Sequence, residues 1–167
     1  LQQVSKRVAP RTTSCGRVLD AVAAILGVCY ERTFEGEPAM KLESAAMSGK
    51  DVLGLQPTVE NNVINTTDMV REIFIQRHTN SVADLAFSAQ SYLARSLAEF
   101  ASDVARKLGV GTVGFSGGVA YNEHMSSTIK KVVEESGLRF VVHELVPPGD
   151  GGVSLGQAVA ASWRMDG

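Results

Sequence analysis

The chain has 167 residues, sixteen of them basic and eighteen acidic, for a net charge of -2. That length allows one domain with a real core, or one lobe of something larger. The charge balance argues against a dominant electrostatic nucleic-acid surface and leaves room for a local patch; no apolar run approaches the length of a membrane span and no signal peptide heads the sequence, so neither nucleic acid nor membrane is an expected partner.

The chain begins with Leu1 and reads as a fragment, or an engineered piece, of a longer protein. The first helix is expected in "SCGRVLDAVAAILG", where Val18, Val22 and Leu26 recur at helical spacing and Gly27 ends the run. Cys15 and Cys29 flank it. A helix of that length separates them by about 21 Å, too far for a disulfide. They read as free thiols of a reducing cytoplasm. Next come a loop containing "FEGEP", with Pro38 suited to a first helical position, and a short helix stopped near Gly49. Residues 50–65 are the least legible, with one strand expected around Asn62–Asn65. Thr66 or Thr67 then caps a helix through "DMVREIFIQR".

The longest helix opens on a capping-box pair, Ser81 and Asp84. Its apolar stripe is read as Leu93, Leu97, Phe100, Val104 and Leu108, with Gly109 as its end. The remainder alternates: a strand in Val110–Phe115, "SGG", a helix from about Glu123 to Ser136, a strand in "RFVVHELV", "DGG", and a closing helix in "VSLGQAVAASW". The fold class is therefore α/β with more helix than strand.

A strand–helix–strand unit normally gives parallel neighbours with a right-handed crossover. The loops Ser116-Gly117-Gly118 and Asp150-Gly151-Gly152 should then lie side by side at the carboxyl edge, where open α/β sheets bind ligands. Glycine lets backbone N–H groups approach an anion, and the following helix N-terminus favours negative charge. Tight strand-to-helix turns need glycine too. The other candidates carry similar double readings. Asp150 is a turn former or a hard oxygen ligand for a metal beside phosphate. Asn122 is a helix cap or a ligand contact. Asp20 pairs with Arg17 on a solvated edge, and Glu35 and Glu37 suit the start of a helix in any case. "GVGTVG" at 109–114 matches GxGxxG but follows a helix and enters a strand, the reverse of the dinucleotide context. His78, His124 and His143 are scattered, without ligand spacing.

Four blocks in register, "TSCGRVLDAVAAILG", "FEGEPAMKLE", "GFSGGVAYNEHM" and "VPPGDGGVSLGQA", resemble the C-terminal part of the HypF carbamoyltransferases of [NiFe]-hydrogenase maturation. The resemblance covers nearly the whole chain. It implies the second lobe of a TsaD-like domain of the actin/sugar-kinase/Hsp70 superfamily, helix-rich with a small mixed sheet, with residues 1–167 as a single lobe. It further implies ATP in a cleft between two lobes. Carbamoyl phosphate would be the carbamoyl source and the C-terminal cysteine of HypE the acceptor, through a carbamoyl adenylate. On matched motif positions, Ser116, Gly117, Gly118 and Asn122 would contact the nucleotide, Gly16 and Asp20 its ribose, with Glu37 nearby. Asp150 would ligate a divalent metal, with iron, zinc and magnesium not distinguished.

The sequence departs from the family at Phe87-Ser88, where Phe-His is usual, and in "GDGG" for "NDGG". The family's other metal ligands, a first-lobe histidine pair, lie outside this sequence, as do its upstream domains. Antibiotic O-carbamoyltransferases and tRNA threonylcarbamoyl synthases share such a lobe. A non-catalytic, nucleotide-gated interaction lobe is the alternative from another class.

Overall fold

The structure, a computed structural model, describes residues 12–165. Helix α1 spans Cys15–Ile25 and buries Leu19, Val22 and Ala23. Its end is set by Gly27 at φ 73, a left-handed conformation that costs glycine little. Gly27 N–H donates to Ala24 O at 3.1 Å and Val28 N–H to Ala23 O at 2.9 Å, satisfying two carbonyls left open by the last turn. Cys15 and Cys29 are both free thiols.

Helix α2 spans Glu37–Ala46 after Gly36 in the left-handed region. Pro38 takes the second helical position, one later than its sequence suggests, where a missing N–H is still harmless. The following loop is ordered by side chains of the long helix α4, Val82–Leu108. Asp84 accepts from Lys50 N–H at 2.9 Å, and Ser88 accepts from Val52 N–H at 3.0 Å. Arg95 donates to Leu55 O at 2.9 Å and pairs with Asp51 at 3.2 Å. Ser88, a departure from the resembled family, thus holds the backbone of this loop.

Where one strand was expected there is a hairpin, β1 (Val59–Glu60) antiparallel to β2 (Val63–Ile64). Asn61 and Asn62 turn it at φ 51 and 62, and Asn tolerates that region better than other non-glycine residues. Helix α3 is Thr67–Gln76, with Met69 and Ile73 buried. Thr66 stands at its cap position, yet the capping oxygen is Asn65 Oδ1, which accepts from the amides of Thr67 and Asp68.

Ser81 caps α4, accepting from Asp84 N–H at 3.1 Å. Its expected apolar stripe is only partly internal: Leu93 is buried, Leu97, Phe100 and Val104 are half-buried, and Leu108 is 71% exposed. Beside Leu85 and Gln90, the deepest positions are small, including Ala86, Ala89, Ala94, Ser96, Ala98 and Ser102. Side chains of that size let helices approach closely, and α4 touches α1, α2, α3 and α5 (Glu123–Glu135). Residues 85–94, apart from the half-buried Phe87, are buried, as befits a helix enclosed on several sides.

Strand β3 (Thr112–Gly114) pairs in parallel with β4 (Arg139–Val141), and α5 is the connection between them. Met125, Ile129 and Val133 form the buried stripe of α5. The second strand is shorter than "RFVVHELV" suggests, because residues 142–149 leave the ladder for an irregular loop. The fold class is thus the expected helix-rich α/β, with its strands in two separate pairs. Helix α6 (Val153–Met165) closes the described chain and stands off the core, with Val153, Leu155, Val159 and Trp163 exposed. Among the described residues no helix is long and apolar enough to cross a membrane.

At Gly49 the 47–58 loop lies tight against the start of α4. A Cβ there would lie 2.1 Å from Ala83 O, which is main chain and cannot rotate away. Gly49→Ala should destabilise the fold by about 1–3 kcal/mol, read as a lower urea midpoint, whereas Ser48→Ala, at an exposed neighbour, should leave it unchanged. An unshifted midpoint in Gly49→Ala would show that the loop moves aside.

Candidate functional site

The two glycine loops leave the same edge of the parallel pair. The ladder runs Thr112 with Arg139, Val113 with Phe140 and Gly114 with Val141, and Phe115 N–H extends it to Val141 O at 3.0 Å. Beyond it the loops bond directly: Gly117 N–H donates to Pro148 O at 2.8 Å. Ser116 Oγ lies 3.2 Å from Pro148 O and 2.9 Å from His143 Nε2. A Cβ on Gly149 would meet Gly118 Cα at 3.7 Å and the Tyr121 ring at 3.0 Å. The loops are therefore two walls of one shelf, as their order in the sequence suggests. Gly117 has φ 99 and ψ 173, a conformation essentially reserved for glycine.

A 3-10 turn, Gly118–Tyr121, carries the first loop into α5. The start of α1 reaches the same turn, since a Cβ on Gly16 would come within 4.0 Å of Val119 Cγ2. Asp20 lies one helical turn beyond Gly16. Its Oδ2 meets Arg17 at 2.9 Å, while Oδ1 is buried without a hydrogen-bond partner. A buried carboxylate oxygen left open is costly and is suited to accept from a ligand hydroxyl.

Asn122 points inward. Its Oδ1 accepts from Met125 N–H at 2.8 Å, capping α5, and its Nδ2 donates to Gln90 Oε1 at 2.7 Å. Both ends of the amide are occupied beneath the loop. Glu37 is likewise engaged, accepting from Thr33 N–H and Oγ1 and pairing with Lys41 at 2.7 Å. The Lys41 hydrogen bond, followed by that from the Thr33 amide, lowers its carboxyl to about 2. Glu37 thus latches the 33–37 loop onto α2, which packs against α1.

Asp150 opens the second 3-10 turn, Asp150–Gly152, on the exposed side of the shelf. Among the described residues no group of three His, Cys, Asp or Glu side chains could hold a metal ion. Asp150 offers one hard oxygen, and the residues present do not by themselves assemble a metal site.

Three contributors escape a reading of the sequence. Gln90, on an amphipathic helix, is fully buried and donates to Ala86 O and Leu42 O while accepting from Asn122. His124 packs against Phe87 at 4.2 Å between ring centroids, the rings tilted by 42°, and meets Ser91 Oγ at 2.9 Å. Burial pushes its pKa down, with Asp51 opposing. It borders a cavity of about 430 Å³ between α2 and α5. The third is His143, which belongs to the shelf. One signal was available: His143 stands four residues after Arg139 as Ser116 stands four after Thr112, so paired strands bring them level.

Comparison with known proteins places these features in a family. Residues 1–157 match the family model described as carbamoyltransferase, Kae1-like domain, second subdomain. The chain is 40% identical over 160 residues to the probable carbamoyltransferase HypF of Methanocaldococcus jannaschii, covering 95% of this chain and 21% of that protein. The crystal structure of T. kodakarensis HypF matches with a TM-score of 0.89 at 44% identity, over 99% of this chain and 22% of the other. Full-length HypF solved in a phosphate- and nucleotide-bound form matches with a TM-score of 0.86 at 28% identity, again over 99% and 22%. The chain thus spans about a fifth of the length of these relatives.

Glu37 predicts a pH signature. Its folded-state pKa lies below its ordinary value of 4.5, so its stabilising contribution is whole above about 4.5 and falls away as pH drops toward about 2. Thermal unfolding of wild type and Glu37→Gln should therefore differ most near neutrality, and the gap should close between those values. A gap independent of pH would mean that the Lys41 and Thr33 contacts do not depend on the carboxylate charge.

Proposed function

This chain belongs to the HypF carbamoyltransferase family, as the second subdomain of its Kae1-like domain, and from that premise we propose that it is the nucleotide-holding lobe of an ATP-dependent carbamoyltransferase. The observation that carries the reading is the shelf: two glycine loops tied together at one sheet edge, with Asp20 Oδ1 open a turn beyond Gly16. Supporting it is the name of one structural relative, a HypF in a phosphate- and nucleotide-bound form.

In this proposal the phosphates of ATP lie over Ser116, Gly117 and Gly118. The absence of side chains at Gly117 and Gly118 gives them access to the backbone, and the start of the turn and of α5 favours negative charge. Asp20 Oδ1 accepts from a ribose hydroxyl beside Gly16. Glu37 holds the adjoining loop in shape, and Asn122 supports the glycine loop from below. Asp150 faces the open side and would contribute one oxygen to a divalent metal whose remaining ligands lie outside the described residues.

The reaction we assign is carbamoyl transfer from carbamoyl phosphate to the C-terminal cysteine of HypE. Hydrolysis of carbamoyl phosphate gives carbamate and phosphate. A carbamate oxygen then attacks the α-phosphorus of ATP, forming carbamoyl adenylate and releasing pyrophosphate. The cysteine thiolate attacks the carbamoyl carbon, the C–O bond to AMP breaks, and the thiocarboxamide remains on sulfur. Adenylation is required because the oxygen of carbamate leaves poorly, whereas AMP leaves readily. We place the protein in the reducing cytoplasm, in keeping with its free thiols.

In the full-length protein supplied with ATP, carbamoyl phosphate and HypE, we expect AMP and pyrophosphate. Asp150→Asn should abolish transfer while leaving the unfolding temperature unchanged. Asp20→Ala should weaken ATP by roughly tenfold, the scale of one hydrogen bond to a charged group. Formation of ADP alone, at a rate indifferent to carbamoyl phosphate, would replace this mechanism with a nucleotide-gated interaction lobe.

A further inference from the structure

The parallel register brings two side chains level just past the end of the ladder. Ser116 follows β3 and His143 follows β4 by the same number of residues, and both are exposed on the open shelf. Ser116 Oγ lies 2.9 Å from His143 Nε2 and 3.2 Å from Pro148 O. Pro148 O already accepts Gly117 N–H at 2.8 Å and, as a carbonyl, can only accept. The hydroxyl has one hydrogen to give. If it points to Pro148 O, His143 must donate its Nε2–H to Ser116 Oγ. If it points to His143, the imidazole carries its hydrogen on Nδ1, and Ser116 turns lone pairs toward the shelf.

We propose that His143 is a positioning residue of the nucleotide site, donating Nε2–H to Ser116 Oγ so that the serine hydroxyl is kept as a donor toward phosphate. This rests on the nucleotide reading of the shelf given above. Without ligand the serine hydrogen rests on Pro148 O. When a phosphoryl oxygen arrives, the hydrogen swings to it, and Pro148 O keeps the Gly117 N–H. His143 continues to occupy a lone pair of Oγ, so the oxygen cannot present that lone pair to the anion. A donor chain of imidazole to hydroxyl to phosphate also polarises in one direction, which strengthens the terminal bond. The opposite tautomer would set lone pairs against a phosphate and weaken binding. His143 therefore decides the sign of the serine's contribution while acting only through it.

The test measures ATP affinity by calorimetric titration of the full-length protein and five variants. His143→Ala should weaken ATP roughly tenfold, and Ser116→Ala by a similar factor, without change in unfolding temperature. His143→Gln keeps an N–H donor at comparable reach and should stay within about threefold of wild type. The double variant Ser116→Ala/His143→Ala should bind no more weakly than Ser116→Ala alone, because the histidine acts through the hydroxyl. Imidazole ¹⁵N spectra of the wild type should show Nε2 protonated. Wild-type affinity in His143→Ala, additive losses in the double variant, no rescue by Gln, or an unprotonated Nε2 would each overturn the assignment. Gly117→Val separates the two levels of the argument. If that variant retains ATP at wild-type affinity, the nucleotide reading of the loop fails and His143 falls with it. If it loses ATP while His143→Ala does not, only the role of His143 is removed.

Discussion

One buried amide-to-amide contact organises the middle of this fold. Asn122 Nδ2 donates to Gln90 Oε1 at 2.7 Å, and both residues are buried. Each amide then completes its remaining bonds on a different helix: Asn122 caps α5 through Met125 N–H, and Gln90 reaches Ala86 O in α4 and Leu42 O in α2. Three helices are thereby fixed to one another at a point directly beneath the glycine loop. Satisfied buried amides specify geometry more than they add stability, because leaving any one unpaired is costly. The position of Asn122 sets where α5 begins, and with it where the turn Gly118–Tyr121 must lie.

Close packing around α4 makes this contact possible. Alanine and serine dominate its buried positions, so neighbouring helices approach near enough for short amides to meet. The same helix orders the least regular part of the chain. Asp84, Ser88 and Arg95 hold the 50–55 loop by its backbone, which no regular ladder does there. Side-chain donors and acceptors replace secondary structure as partners for those main-chain groups.

The parallel pair does the complementary work at the surface. With three residues in each strand, it adds little buried area. Its contribution is register: it brings Ser116 level with His143 and lays the two glycine loops against each other. The shelf that results is exposed at Ser116, Gly117, Gly118, His143 and Asp150, while Asn122, which supports it from below, is buried and engaged at both ends of its amide. Exposed and supporting groups are thus divided between the open and closed sides of one loop.

Much of this was legible in the residues themselves. Local rules placed the helices, because periodicity, the Ser81 cap and the glycines at 27 and 109 act within a few residues of chain. The order of strand, glycine loop and helix, repeated, was enough to put Ser116–Gly118 beside Asp150–Gly152, since a short crossover leaves a parallel pair as the favoured outcome. Other features depended on packing. Leu108 fits the apolar stripe of α4 yet is exposed, while Gln90 and Ser102 are enclosed, because which face is covered depends on the helices that arrive against it. Asn61-Asn62 makes a hairpin only where two short flanking segments can pair. The dual engagement of Asn122, the open oxygen of Asp20 and the Ser116–His143 contact join residues remote in sequence or turn on burial. Composition and periodicity carry no distances of that kind, so only the tertiary fold decided them.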